Sequence, residues 1–180
     1  TYEDIYSAFQ KMFGYGEDEI KIIKEEEKKL EYQFLYERKT AKFLYNCACM
    51  SGKRIIIISD MYFNSEFIDS CLKKNGYNRH SKVYVSSETG MTKTSKKMFN
   101  YVLYILAKDG IKPDEVVHIG DNKKSDVDCA LGCGMRARHL PKPADIRNSC
   151  IHLKKLYGYV LSDVMNSNNA MLYGFLANLY

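Results

Sequence analysis

The sequence predicts an α/β fold with a parallel sheet, and two observations support this. Short runs of β-branched and other apolar residues alternate with longer segments whose apolar residues recur at helical spacing. Such alternation indicates βαβ units with helices flanking the sheet. The clearest strand is residues 55–58, where four isoleucines stand in a row between Arg54 and Ser59. A continuous apolar run of this kind is typical of a parallel strand that is buried on both faces.

The first 50 residues predict helices only. Ile5, Phe9 and Met12 belong to an apolar stripe that ends at Gly14, and a Glu- and Lys-rich segment follows it. A third segment stops before Gly52, since glycine commonly terminates helices. The predicted helices span residues 5–12, 18–36 and 41–50.

Three further strands and three helices are predicted after the isoleucine strand. The first of these helices carries Phe67, Cys71 and Leu72 on one face and stops at Gly76. Helices are predicted over residues 65–74, 95–108 and 125–131, and strands over residues 82–85, 116–119 and 135–140.

The composition excludes several classes of protein. Of the 180 residues 46% are apolar and 27% are charged, which is ordinary for a globular domain and rules out a disordered chain. No apolar run approaches the roughly 20 residues that a membrane helix needs. No secretory signal is visible at the N-terminus. The sequence starts with Thr1 rather than Met, which predicts a processed or excised piece of a longer protein.

The net charge of +5 is unevenly distributed along the sequence. Residues 1–40 carry a balance of −3 and the remainder a balance of +8. A basic half suits an anionic ligand such as a phosphate ester, but a solvated lysine-rich surface is the preferred explanation. The basic residues are scattered and no nucleic-acid-binding motif is present, so no DNA or RNA partner is predicted.

The six cysteines predict reduced thiols and a cytoplasmic protein. Their CxC and CxxxC spacings do not match zinc-ribbon pairs, and the four histidines complete no ligand pattern. Several of the cysteines lie beside apolar residues on predicted helix faces, where a thiol acts as a small hydrophobe. The six are Cys47, Cys49, Cys71, Cys129, Cys133 and Cys150.

Polar clusters follow the predicted strands at their carboxyl ends, where ligands bind in parallel sheets. Ser59 ends the isoleucine strand, Lys93 precedes a helix, and Asp121 and Asp126 follow the strand at residues 116–119. A hydroxyl, a lysine and two carboxylates on one rim suit phosphoryl chemistry, because carboxylates hold Mg²⁺ and a lysine offsets phosphoryl charge.

These segments resemble the haloacid dehalogenase-like (HAD) phosphohydrolases. The resemblance rests on a strand ending in Ser59, on Lys93 before a helix, and on a GDxxxxD loop with Asp121 and Asp126. The segments IIIISDMYFNSEFI, VYVSSETGMTK and VVHIGDNKKSDV are similar to a subgroup fused to bacterial surface-polysaccharide glycosyltransferases. The resemblance covers residues 1–143.

The resemblance implies a Rossmann-like parallel sheet, a Mg²⁺ cofactor and a phosphorylated small molecule or sugar as substrate. It implies that Ser59 and Lys93 bind phosphoryl oxygens and that Asp121 and Asp126 bind the metal. The implied division is a helical cap segment at residues 1–48, a core at residues 49–145 and a helical tail at residues 146–180. Apolar stripes in the tail predict packing on the chain's own core or contact with a second copy or an adjacent glycosyltransferase domain.

The sequence departs from the family at its first motif, DxDx[TV], whose first aspartate is the nucleophile. No strand in this chain leads into such a segment, which predicts a core without its first strand and a chain inactive by itself. Asp60 is the alternative nucleophile, but Tyr62 and Asn64 stand where the family has aspartate and Thr or Val. Tyrosine does not shuttle a proton as an aspartate does near neutral pH.

Two other functions stay open at this point. One is a non-catalytic interaction module of a glycosyltransferase, and the other is a metal-binding regulatory domain that senses phosphate esters. Each site residue also has a structural alternative. Ser59 can end a strand, Lys93 can lie on the surface, Asp121 can form a turn and Asp126 can begin a helix. Knowing the sequence upstream of Thr1 would distinguish between these functions.

Overall fold

The fold is that of a computed structural model, which describes residues 1–142, 145, 146, 149, 151 and 152. The chain divides into two compact units. The first unit comprises Thr1–Glu37 and Lys42–Tyr101, and the second comprises Arg38–Ala41 and Val102–Tyr180. The predicted helical tail lies, beyond residue 152, outside the described residues.

The three predicted N-terminal helices are present, within about three residues of their predicted bounds. They are α1 (Tyr2–Phe13), α2 (Glu17–Phe34) and α3 (Lys39–Met50). The Thr1 hydroxyl accepts a hydrogen bond from the Asp4 N–H, and this cap begins α1. Gly14 ends α1 with a φ of 73°, a left-handed conformation that glycine adopts without steric cost.

The first unit also contains a two-stranded parallel sheet. Its strands are β1 (Ile56–Ser59) and β2 (Lys82–Val85), in a register that pairs Ile56 with Lys82 and Ser59 with Val85. Helix α4 (Ser65–Lys74) connects them. The most buried large side chains of the first unit are Phe63, Val85, Met98 and Phe99.

The second unit contains another parallel pair of strands. After α5 (Ser86–Thr89) and α6 (Lys97–Ala107), the chain forms a 3₁₀ turn at Pro113–Glu115 and then β3 (Val117–Gly120). A π-type helical turn at Lys123–Asp128 continues into α7 (Cys129–Leu131) and leads to β4 (Arg136–His139). The register pairs Val117 with Arg136 and Gly120 with His139.

The predicted α/β class is confirmed, with differences in detail. The described strands form two separate two-stranded sheets, not one continuous sheet. Consequently β1 is half-buried along its length, whereas complete burial was expected. Helix α6 begins at Lys97 because Lys96 has a left-handed φ of 62°. The four-residue helix α5 was not predicted, since Ser86–Thr89 has no apolar periodicity.

Two expectations from the sequence concern the environment of the cysteines and the length of apolar helices. Cys71 and Cys129 are buried, as expected for thiols that act as small hydrophobes. Burial raises the pKa of the Cys71 thiol. In the part of the chain that the structure describes, no helix combines the length and the apolarity that crossing a membrane requires.

Candidate phosphate and metal site

At the carboxyl end of β1, the Asp60 side chain contacts the backbone of Lys93. Ser59 is the last residue of β1 and is half-buried. The carboxylate oxygens of Asp60 lie 3.1 and 3.2 Å from the backbone nitrogen of Lys93, whose N–H donates to them. Asp60 therefore holds the Lys93 segment against the end of β1, a role that the sequence did not reveal.

The segment around Lys93 is a tight, internally bonded turn. The Ser95 N–H donates to the Thr92 hydroxyl at 3.3 Å, and the Lys96 N–H donates to the Lys93 carbonyl at 2.9 Å. Lys96 then takes its left-handed conformation and α6 begins. Lys93 is half-buried within this turn, which limits the directions its side chain can take.

The carboxyl end of β3 carries the predicted metal ligand. Asp121 follows Gly120 directly and is exposed. Among the described residues, its carboxylate has no hydrogen-bond or ion-pair partner. The Asn122 side chain accepts hydrogen bonds from the backbone N–H groups of Lys124 and Ser125, both at 3.0 Å. Asn122 thus caps and begins the helical turn.

Asp126 lies inside this loop and is only 3% exposed. One carboxylate oxygen accepts the Asn122 N–H at 2.9 Å, and the other is 3.3 Å from Nε2 of His118. A Cβ on Gly120 would stand 2.4 Å from the Asp126 carboxyl carbon, so the carboxylate packs directly on the glycine backbone. Asp126 therefore holds the loop together, and its predicted metal contact stays a prediction.

His139 is a site residue that the sequence analysis missed. It ends β4, and its Nε2 lies 2.9 Å from the Asp121 carbonyl oxygen. An N–H at Nε2 donates to that oxygen, since a carbonyl can only accept. A bond from a side chain to a backbone carbonyl leaves no residue pattern in a sequence, and no sequence signal could have identified it.

The four predicted residues are divided between the two units, with Ser59 and Lys93 in the first and Asp121 and Asp126 in the second. Asp60 joins the end of β1 to Lys93, and Asp121 and Asp126 share one loop after β3. That all of them line one rim stays a prediction. No group of three or more His, Cys, Asp or Glu that could hold a metal occurs among the described residues. The Asp121 carboxylate by itself suits a hard cation such as Mg²⁺, whose other ligands are commonly water.

Asp60 and Tyr62 have surroundings that bear on the alternative nucleophile. The oxygens of Asp60 already accept the Lys93 N–H. The Tyr62 hydroxyl donates to Glu27 at 3.1 Å. Burial, reinforced by the Glu27 carboxylate, raises the pKa of Tyr62 to about 12. A phenol with this pKa keeps its proton near neutral pH, which argues against Tyr62 as a general base.

Part of this chain is similar to a known family of proteins. Residues 90–139 match a family model described as HAD-hydrolase-like, and this range includes Lys93, Asp121 and Asp126 but not Ser59. No curated protein matches the chain.

Two solved structures have a similar fold. An uncharacterized protein from Listeria monocytogenes serotype 4b shares 24% identity with a TM-score of 0.51, over 66% of this chain and 81% of that one. YfnB from Bacillus subtilis, assigned to the HAD-hydrolases and bound to magnesium, shares 21% identity with a TM-score of 0.54. That similarity covers 77% of this chain and spans 59% of YfnB.

The family match is confined to residues 90–139, and the two solved structures show that the fold is shared. The matched range ends at His139, the last residue of β4, so it contains both strands of the second unit. Its GDxxxxD loop is the one that Asp126 holds together.

Proposed function

We propose that this chain is part of a Mg²⁺-dependent phosphohydrolase of the HAD type that acts on a phosphate ester. The observation that carries this proposal is the Asp121 carboxylate. It is exposed, directly follows β3 and has no partner among the described residues. It lies inside the range matched by the HAD-like family model. The phosphorylated sugar substrate and the glycosyltransferase context are part of the proposal and rest on the resemblance of the motifs.

In this proposal each residue binds or orients. Asp121 holds Mg²⁺, which when bound offsets the charge of the phosphate. The Lys93 ammonium and the Ser59 hydroxyl bind phosphoryl oxygens, and Asp60 keeps Lys93 near the end of β1 through the backbone. Asp126 holds the loop and is the second proposed metal ligand.

Ligand binding by purified chain tests the proposal. Mn²⁺ is a suitable paramagnetic probe for a Mg²⁺ site, and we expect weak binding, in the millimolar range, that Asp121→Asn removes. The matched control, Asp114→Asn, changes an exposed aspartate on the 3₁₀ turn and leaves Mn²⁺ binding unchanged. Tight binding that survives Asp121→Asn would refute the assignment of the ligand.

Inorganic phosphate, titrated by phosphorus NMR, tests the proposed phosphate binding by Lys93. We expect Lys93→Gln to weaken phosphate binding by about tenfold, because a charged donor to phosphate is lost. Lys97→Gln, a nearby exposed lysine in α6, is the control and leaves the affinity unchanged. Equal affinities for wild type and Lys93→Gln would favour the non-catalytic interaction module instead.

We expect this chain by itself to hydrolyse no phosphate ester. The chain has no DxDx[TV] segment after a strand, so it lacks the aspartate that would attack phosphorus. We therefore expect no hydrolysis of p-nitrophenyl phosphate with Mg²⁺ present. Robust turnover that Asp60→Asn abolishes would contradict this and identify Asp60 as the nucleophile.

A further inference from the structure

The peptide unit between Asp121 and Asn122 is held at both of its ends. Its carbonyl oxygen accepts from Nε2 of His139 at 2.9 Å, and its N–H donates to Asp126 at 2.9 Å. The two partners come from different elements, since His139 ends β4 and Asp126 belongs to the π-type turn. We refer to His139, Asp126 and the peptide between them as the peptide clamp.

We propose that His139 is a positioning residue for Asp121, acting through the peptide clamp. This inference rests on the proposed function, in which Asp121 binds the metal. Strand β3 sets the backbone before Asp121, and the clamp sets the peptide plane after it. With both sides held, the Cα–Cβ bond of Asp121 has one direction, and the carboxylate reaches a limited region beyond the strand end.

The clamp matters because Asp121 has no side-chain partner of its own among the described residues. An exposed carboxylate on a mobile loop would have to be ordered when the ligand binds, and ordering the backbone of one residue costs about 1–2 kcal/mol. Folding has already ordered this peptide. A ligand therefore meets a carboxylate whose backbone is in the binding-competent conformation, which raises the apparent affinity.

The contacts favour His139 over His118, the histidine in β3, for this role. His118 contacts the Asp126 carboxylate and so acts on the N–H end of the clamp only indirectly. The Leu140 N–H also donates to the Gly120 carbonyl at 2.8 Å, which continues the β3–β4 pairing to the point where the clamp begins. His139 is thus anchored by the sheet and contacts the peptide directly.

Three variants test the role in metal binding with Mn²⁺ as the probe. We expect His139→Leu to weaken Mn²⁺ binding by roughly tenfold, as removal of a residue that orients a metal ligand commonly does. His139→Gln supplies an amide N–H and should keep the affinity within about twofold of wild type. His152→Leu, an exposed histidine, is the control and leaves the affinity unchanged. Equal affinities for the leucine variant and wild type would overturn the proposal, as would equal weakening by glutamine.

Amide hydrogen exchange tests the clamp without any metal. We expect the Asn122 N–H to exchange about fivefold faster in His139→Leu than in wild type, since loss of the bond at the carbonyl end eases opening. His139→Gln should restore the slow exchange, and unchanged exchange in the leucine variant overturns the clamp. The two experiments separate the two claims. If Asp121→Asn binds Mn²⁺ as wild type does, the proposed function fails, and exchange still decides whether His139 holds the peptide.

Discussion

Gly120 is the residue where the loop after β3 tolerates no side chain. The Asp126 carboxylate packs against its Cα, and its two oxygens contact the Asn122 N–H in the loop and Nε2 of His118 in β3. Its φ is not in the left-handed region, so the requirement for glycine comes from space and not from backbone conformation. Close approach of a buried carboxylate to the backbone thus makes this glycine necessary.

Gly120→Ala is expected to destabilise the protein by about 2 kcal/mol, because an inserted methyl group in a filled site displaces its neighbours. The added Cβ would lie 2.4 Å from the Asp126 carboxyl carbon. Urea denaturation measures the change. Gly16→Ser is the control, since a Cβ there meets its nearest atom at 3.6 Å and serine is a good helix N-cap. An unchanged free energy of unfolding for Gly120→Ala would contradict the prediction.

Tyr62 makes stability depend on alkaline pH. Its pKa is raised from 10.0 to about 12 by burial and by Glu27. A raised pKa means that the folded state holds the proton more tightly, so the contribution is complete below pH 10.0 and is lost as the pH rises to about 12. We expect the stability advantage of wild type over Tyr62→Phe to shrink across this range in urea denaturation. A constant difference between the two proteins would disprove the assignment.

The sequence predicts roles for Lys93 and Asp121 from their residue types and from their places before a helix and after a strand, and these roles stay predictions. The backbone contacts of two other side chains were not predicted. Asp60 and His139 contact backbone groups of these residues, and such contacts depend on how separate elements meet. No local pattern encodes that meeting.

The start of α6 contains a strained residue. Lys96 is the one described residue other than glycine with a positive φ, at 62°, and side chains disfavour this conformation by about 1–2 kcal/mol. We expect Lys96→Gly to raise the free energy of unfolding by about 0.5–1 kcal/mol. Lys97→Gly, one residue further and helical, should lower it by about 0.5 kcal/mol. Thermal unfolding of the pair checks the prediction, which is wrong if both variants lose stability.

Most elements follow from spacing of apolar residues, and the exceptions have physical causes. Helices α1 to α4 were predicted from the helical spacing of their apolar residues, and the four strands from short apolar runs. The predicted helix at residues 125–131 is instead a π-type turn followed by α7. In this turn the Asp126 and Val127 N–H groups both donate to the Asn122 carbonyl, a pairing that the apolar pattern does not specify.

The described strands leave sheet edges that a larger assembly could use. Strand β1 is hydrogen-bonded to β2, and β3 to β4, with no further strand in either sheet among the described residues. Two-stranded sheets are marginal by themselves, and open edges invite pairing with another chain. Val117 and Ile119 on β3 are 45% and 43% exposed, so apolar surface accompanies the open edge.

We expect the chain to associate in solution across the micromolar range. Light scattering should give a mass above the 20.8 kDa of one chain. Ile119→Lys places a charge on the exposed face of β3 and should reduce association, as charged residues do on natural edge strands. Tyr104→Lys, on an exposed position of α6, is the control. A monodisperse species of single-chain mass with cooperative unfolding would rule association out.

The peptide clamp touches only backbone atoms of positions 121 and 122, which separates the shape of the loop from the chemistry it presents. Replacing Asp121 by histidine, cysteine or glutamate leaves both clamp bonds available, because neither uses that side chain. Proline at position 122 is excluded, since it has no N–H to donate to Asp126. The loop is therefore a scaffold on which a protein engineer could exchange the presented ligand, for instance to recruit a softer metal, while the support underneath stays the same.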